Sequence, residues 1–303
     1  KGLQVSEYGI EDKNGKVITC ESEVGVYATL GLAFIPPEIR LGLDEIELAR
    51  RNAIPTLVEM ADIRGDLHDH TQWSDGVCTI EQLARAAAER KREYLAISDH
   101  SPGRAVANGL SIDRLREQIK IVGSVRNAYG VHLLTGSEVD IRADGALDLP
   151  DKVLAELDIV VASIHSSFRA SKEQQTKRLL GAIENPYVAI IGHPTGQMIE
   201  DREGYEFDVE AVFRAAARTG TALEINSNPA RLDLSADLAR RARELGCTFS
   251  IDTDAHHIED MDNMLFGVAT ARKASITKES VLNARPLRDV LEFVRKKRKA
   301  LAR

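Results

Sequence analysis

From residue 64 onward, short apolar runs alternate with longer amphipathic stretches. The runs Gly65–Leu67, Tyr94–Ile97, Val131–Leu134, Ile159–Ile164, Val188–Ile191, Thr221–Ile225 and Cys247–Ile251 predict strands. Between them apolar positions return at helical spacing. Ile80, Leu83, Ala84 and Ala87 share one face behind the capping-box-like start Thr79 to Gln82. Ser235 opens a later helix that stops at Leu245 and Gly246. Seven strands, each followed by a helix or long loop, predict a parallel sheet. Polar residues recur after nearly every strand. A closed barrel turns all its strand ends to one mouth, whereas an open doubly wound sheet gathers them at one crevice, so the pattern favours the barrel.

The first 40 residues follow another pattern and predict a small α+β segment. Asn14 and Gly15 form a hairpin signal between Tyr8–Ile10 and Lys16–Ile18. Ser22 can cap a short helix through Tyr27 and Leu30 that ends at Gly31, and Pro36 and Pro37 then stop regular structure. The segment is too small for a core of its own. Residues 41–62 are charged and read as a helical or irregular linker, leaving residues 63–303 as the main domain.

Composition narrows the function. In 303 residues, 43% hydrophobic and 29% charged content are ordinary for a globular chain. No apolar run approaches the roughly 18 residues needed to span a bilayer. The net charge of −7 argues against strong autonomous duplex binding. Cys20, Cys78 and Cys247 are scattered and read as free thiols in a reducing compartment. The chain starts at Lys1 rather than Met, which leaves open whether it is a fragment.

The chemistry lies at the strand ends. Six of the eight histidines, His68, His70, His100, His165, His193 and His256, sit at or just past them. His68 and His70 are two apart, so on a strand they point to one face and can chelate a cation. Asp75 follows in the turn Ser74–Gly76, Asp99 precedes His100, Glu138 follows the Val131–Leu134 run, and Asp254 stands two before His256. A carboxylate beside a ligand histidine often fixes its tautomer, which is the expected role of Asp99. Singly these signals are weak. Jointly, imidazole and carboxylate without thiolate suit two or three zinc, manganese or iron ions. His132 and His257 fit no constellation.

In this order the motifs resemble the PHP (polymerase and histidinol phosphatase) superfamily across residues 64–303. They are His68-x-His70-Thr71 with Ser74–Gly76, Asp99-His100, Gly136-x-Glu138, His165, Gly192–Pro194 and Asp254-x-His256. The resemblance implies a distorted (β/α)7 barrel with metal ligands His68, His70, Asp75, His100, Glu138, His165, His193, Asp254 and His256. Glu184–Val188, Gly192–Gly196, Leu223–Asn226, Asn228–Leu234 and Thr253–His257 look like the PHP domain that ends family X DNA polymerases. Leu3–Gly9, Val26–Gly31 and Ile35–Glu38 look like the tail of that family's thumb. Asp69 departs from the usual apolar residue between the first two histidines, and Ser101–Ala105 departs from the usual loop.

That resemblance implies a manganese-supported 3′–5′ exonuclease acting on DNA ends or gapped or damaged DNA, with abasic-site or 3′-phosphate activity as variants. It also implies an upstream polymerase domain in a parent chain and a cytoplasmic, nucleoid-associated location. Glu138, Asp254 and His256 are the expected catalytic residues, with Arg104, Asn226 and Arg231 expected to contact a phosphate; for Arg104 and Arg231 a surface salt bridge is the alternative. A histidinol-phosphatase-type activity and a non-catalytic scaffold are the alternatives. The basic run Arg295–Lys299 is open between gripping a DNA backbone and lying solvated at a helix end.

Overall fold

A computed structural model describes residues 2–301, so the outermost boundaries expected from sequence, residue 1 and residues 302–303, lie outside the described residues. The chain divides into two compact units that meet between Thr56 and Leu57. In the first, β1 (Gln4–Ser6), β2 (Gly9–Glu11) and β3 (Val17–Ile18) form an antiparallel sheet. The β2–β3 turn carries Asn14 and Gly15, and the Asp12 carboxylate accepts the N–H groups of Asn14 and Lys16. Ser22 caps α1 (Glu23–Leu30), and Gly31, at φ +75°, ends it. The short helix α2 (Glu45–Arg50) completes this unit.

The second unit alternates strand and helix. Its elements are β4 (Gly65–Asp69), α3 (Ile80–Glu89), β5 (Tyr94–Ile97), α4 (Ile112–Val125), β6 (His132–Asp140), α5 (Asp151–Leu154) and β7 (Ile159–Ser163), then α6 (Lys172–Glu184), β8 (Ile190–Ile191), α7 (Val209–Thr219), β9 (Ala222–Asn226), α8 (Ala236–Glu244), β10 (Thr248–Asp252), α9 (Met264–Lys273) and α10 (Leu287–Leu301). The seven strands are parallel and run in sequence order from β4 to β10. They form the nearly closed barrel that the recurring polar strand ends predict.

The first and last strands meet at a seam stitched largely by side chains. Leu67 N–H donates to Asp252 Oδ1 at 2.9 Å, and Thr253 donates its hydroxyl to Asp66 Oδ2 at 2.6 Å. Asn283 Nδ2 donates to the carbonyls of Gly65 and Ile251 at 2.9 and 2.6 Å. Beyond them, His70 N–H reaches Ala255 O at 2.8 Å.

Alternation along the strands sets the layers. Ile159 and Val161 of β7 pack inside with Leu67, Tyr94 and Leu134, while Val160 and Ala162 face the helices. One strand runs further than its apolar run predicts: β6 reaches Asp140, with Gly136–Asp140 paired to Ile159–Ser163. A Cβ on Gly136 would lie 2.9 Å from Ile159 Cγ2 and 3.0 Å from Ile97 O. This glycine permits close approach of neighbouring strands, and Glu138 therefore stands within a strand.

The basic run on α10 is split. Arg295, Lys296 and Lys299 are exposed, but Lys297 is buried, donating to Val188 O and, at 2.6 Å, to Thr221 Oγ1. Arg298 donates to Leu157 O. These acceptors precede β8, β9 and β7, so part of the run closes the end of the barrel opposite the mouth. Burial pushes Lys297 down to about 7. Below that pH folding carries the full cost of burying the charge; the cost shrinks as pH rises and is gone above the ordinary lysine value. Lys297→Met never carries the charge. In urea unfolding from pH 7 to 10, the stability difference is expected to move toward the unsubstituted chain by up to ~4 kcal/mol. A pH-independent difference would contradict this. Among the described residues, no helix is long and apolar enough to cross a membrane.

Candidate metal centre

The loops and strand ends at the mouth bring the nine expected ligands together. Glu138 is the hub. Its carboxylate lies 2.8 Å from His193 Nε2, 2.9 Å from His100 Nδ1, 3.2 Å from His165 Nε2, 3.5 Å from His68 Nε2 and 3.6 Å from His70 Nε2. Asp254 Oδ1 lies 3.1 Å from His70 Nε2. Asp75 Oδ2 lies 3.4 Å from His100 Nε2, and its Oδ1 lies 3.4 Å from His256 Nε2. Three groups have donor atoms within 4.8 Å of one another: His70, Asp75, His100 and His256; His68, His70 and Asp254; and His100, Glu138 and His165. Seven ligand side chains are buried, whereas Asp75 and His256 form the open rim at about a third exposed.

The donor atoms fit cations. His68 Nε2, both ring nitrogens of His70, His100 Nδ1 and Glu138 Oε2 are buried without a hydrogen-bond partner. Such atoms are costly unless something else satisfies them. Burial alone would raise the Glu138 pKa, but His165, His100 and His68 outweigh it and hold the group well below its ordinary value. Asp254 is held low in the same way, chiefly by His68 and His70 against burial. Burial, with His256 and His100 adjacent, pushes His70 down to about 3, so the ring is neutral and one nitrogen keeps its lone pair for a cation.

Two buried carboxylates that the sequence did not single out aim these ligands. Glu224 Oε1 pairs with His68 Nδ1 at 2.6 Å, and Glu224 Oε2 accepts His193 N–H at 2.5 Å. Asp140 Oδ1 pairs with His165 Nδ1 at 2.5 Å. Both rings thus turn Nε2 inward. Two ligands also sit in left-handed backbone, His193 at φ +25° and Asp254 at φ +54°, conformations that non-glycine residues hold only when the surroundings enforce them.

Two expected roles change. Asp99 touches no ligand imidazole: it accepts from the hydroxyls of Thr71 at 2.6 Å and Ser74 at 2.5 Å, and from Gln118 Nε2 at 2.6 Å. It pins the turn that carries Asp75. Asn226 spends its amide on Glu224 Oε2 and Asp254 Oδ2, both at 3.1 Å, and so braces Asp254 with no donor left for a phosphate. Arg231 Nε lies 3.4 Å from Asp254 Oδ2, and Arg104 Nη1 reaches His165 O at 3.5 Å. Both are at the mouth. His132 pairs with Asn127, away from the cluster, and His257 caps the turn Ile258–Asn263.

Residues 66–228 match the family model of the PHP domain, and residues 1–41 match that of the DNA polymerase beta thumb. The chain is similar to the DNA polymerase/3′-5′ exonuclease PolX of Bacillus subtilis (strain 168), 45% identical over 298 residues. That alignment covers 98% of this chain but 52% of the relative, so the chain spans about half the relative's length. It is 32% identical over 251 residues to a probable phosphatase of Thermoanaerobacter sp. (strain X514), covering 78% of this chain and 96% of that one. Among solved structures, histidinol phosphate phosphatase from Lactococcus lactis, complexed with zinc, L-histidinol and phosphate, superposes at a TM-score of 0.44 and 15% identity. That superposition covers 79% of this chain and 94% of that chain.

Proposed function

Because the chain belongs to the PHP domain family, we propose that it is a metal-dependent phosphoesterase that shortens DNA from its 3′ end, the exonuclease part of a family X polymerase. The observation that carries this is 45% identity to a polymerase/3′-5′ exonuclease across 98% of the chain, with the nine expected ligand side chains converging at one mouth. Two or three divalent ions, manganese or zinc or iron, would be held by His68, His70, Asp75, His100, Glu138, His165, His193, Asp254 and His256. Cations held there would make water nucleophilic at neutral pH and offset the charge on a phosphoryl group.

The chain's own groups do the rest. Glu138 offers one carboxylate to five imidazoles from four strand ends, so it is suited to be shared between ions. Glu224 and Asp140 hold His68 and His165 in one orientation. Arg231 and Arg104 supply cationic donors for a phosphate beside Asp254 and His165. The open side, at Asp75 and His256, leaves room for the substrate. A polymerase domain upstream in a parent chain, and a cytoplasmic setting, follow from the same proposal.

The probable phosphatase relative favours a second activity, hydrolysis of small phosphomonoesters. Metal-reconstituted protein assayed on single-stranded, nicked and abasic DNA and on histidinol phosphate separates the two. Release of nucleotides from the 3′ end is expected. Turnover of histidinol phosphate with none on any DNA would reject the proposal.

A further inference from the structure

Three arginines from three loops gather on one side of the mouth. Arg104 follows β5, Arg202 follows β8 and Arg231 follows β9. Arg231 faces the Asp254 carboxylate, whereas the other two reach only carbonyls: Arg104 reaches His165 O, and Arg202 donates Nε and Nη2 to Gly196 O at 3.0 and 2.9 Å. Arg104 Nε is buried without a hydrogen-bond partner. The Arg202 guanidinium lies 3.9 Å from the centroid of the Phe168 ring, which stacks in turn on Tyr205 at 6.3 Å. Burial first, then the charge of Arg231, with a further push from Arg104, holds Arg202 below the ordinary arginine range.

Arg104, Arg202 and Arg231 feel one another's charge, offset in part by Asp254 beside Arg231 and by Asp201 near Arg202, and together they favour an anion. Arg231 and Arg104 lie against the ligand cluster and suit a phosphate held there. Arg202 is kept off that cluster, flat against Phe168. Building on the phosphodiesterase reading above, we propose that Arg202 on its Phe168 platform binds the phosphate next to the scissile one. The site would then take a polynucleotide strand in preference to an isolated phosphate ester.

The test compares metal-loaded protein on a single-stranded oligodeoxynucleotide and on bis(p-nitrophenyl) phosphate, a diester with one phosphate. Arg202→Gln keeps a donor for Gly196 O but loses the charge. It is expected to lower kcat/KM on the oligonucleotide about tenfold more than on the small diester. With a cleavage-resistant phosphorothioate oligonucleotide, the slope of log affinity against log salt should shrink by about one, and Arg202→Lys should restore most of it. Equal losses on both substrates, or an unchanged slope in Arg202→Gln, would make Arg202 a brace for the Gly196 loop and overturn the proposal. Unsubstituted protein that hydrolyses the small diester but no oligonucleotide would overturn the DNA reading itself, whatever Arg202 does.

Discussion

Glu138→Gln is expected to lower hydrolysis by about a thousandfold or more, because one carboxylate serves five of the expected ligand imidazoles. Its two oxygens lie within 3.6 Å of imidazoles from β4, β5, β7 and β8 loops and strands. Glutamine keeps the shape but removes the charge and turns an N–H2 group toward atoms that must bind cations. The loss should appear twice, in turnover and in the metal bound per chain, with the circular dichroism of the barrel retained. Glu138 is buried where His165, His100 and His68 already stabilise its charge, so the fold does not need it to face solvent. Full metal content with undiminished hydrolysis in the variant would remove Glu138 from its central place.

The second large effect falls on a residue whose carboxylate is expected to touch no cation. Glu224→Ala should weaken metal binding by roughly 10–100-fold, the usual cost of losing a carboxylate that orients a ligand histidine. The wild-type carboxylate fixes the His68 ring through Nδ1, accepts the His193 N–H, and holds Asn226, whose amide also steadies Asp254. One side chain therefore steadies three ligands. Calorimetric titration with manganese or zinc reads this directly. Glu224→Gln, which keeps an oxygen acceptor, should recover part of the affinity. Equal affinity in the alanine variant and the unsubstituted chain would contradict the role.

These two residues also mark how far the sequence could be read. The strands and most of the expected donors were legible because those donors follow apolar runs that survive as strands in the structure, whereas Asp75, in the Ser74–Gly76 turn, was placed by the family resemblance. Glu224 was passed over because it lies within a strand, where a charged residue looks like an interruption, and Asp140 because it lies beyond the Val131–Leu134 run from which its strand was predicted. The signal was present: an acid flanked by Leu223 and Ile225 in a strand buried on both faces must be paired. Asp99 was misread for a related reason. It precedes His100 directly, and consecutive residues in extended chain point to opposite sides. Its carboxylate therefore turns to Thr71, Ser74 and Gln118 and away from the imidazole. The length of β6 was missed because its apolar run stops at Leu134, whereas Gly136 lets neighbouring strands approach and the strand continues to Asp140. The place of Arg202 depends on how a loop folds back over Phe168, which no local pattern encodes.

The seam between β4 and β10 sets when the histidine–carboxylate cluster is complete. His68 and His70 are made early in the barrel, Asp254 and His256 late, and only the closing of the seam brings the two pairs together. A chain still emerging from the ribosome holds half a cluster, with His70 lacking both Asp254 and His256. Strand order therefore keeps the growing chain without a complete cluster until the barrel has shut.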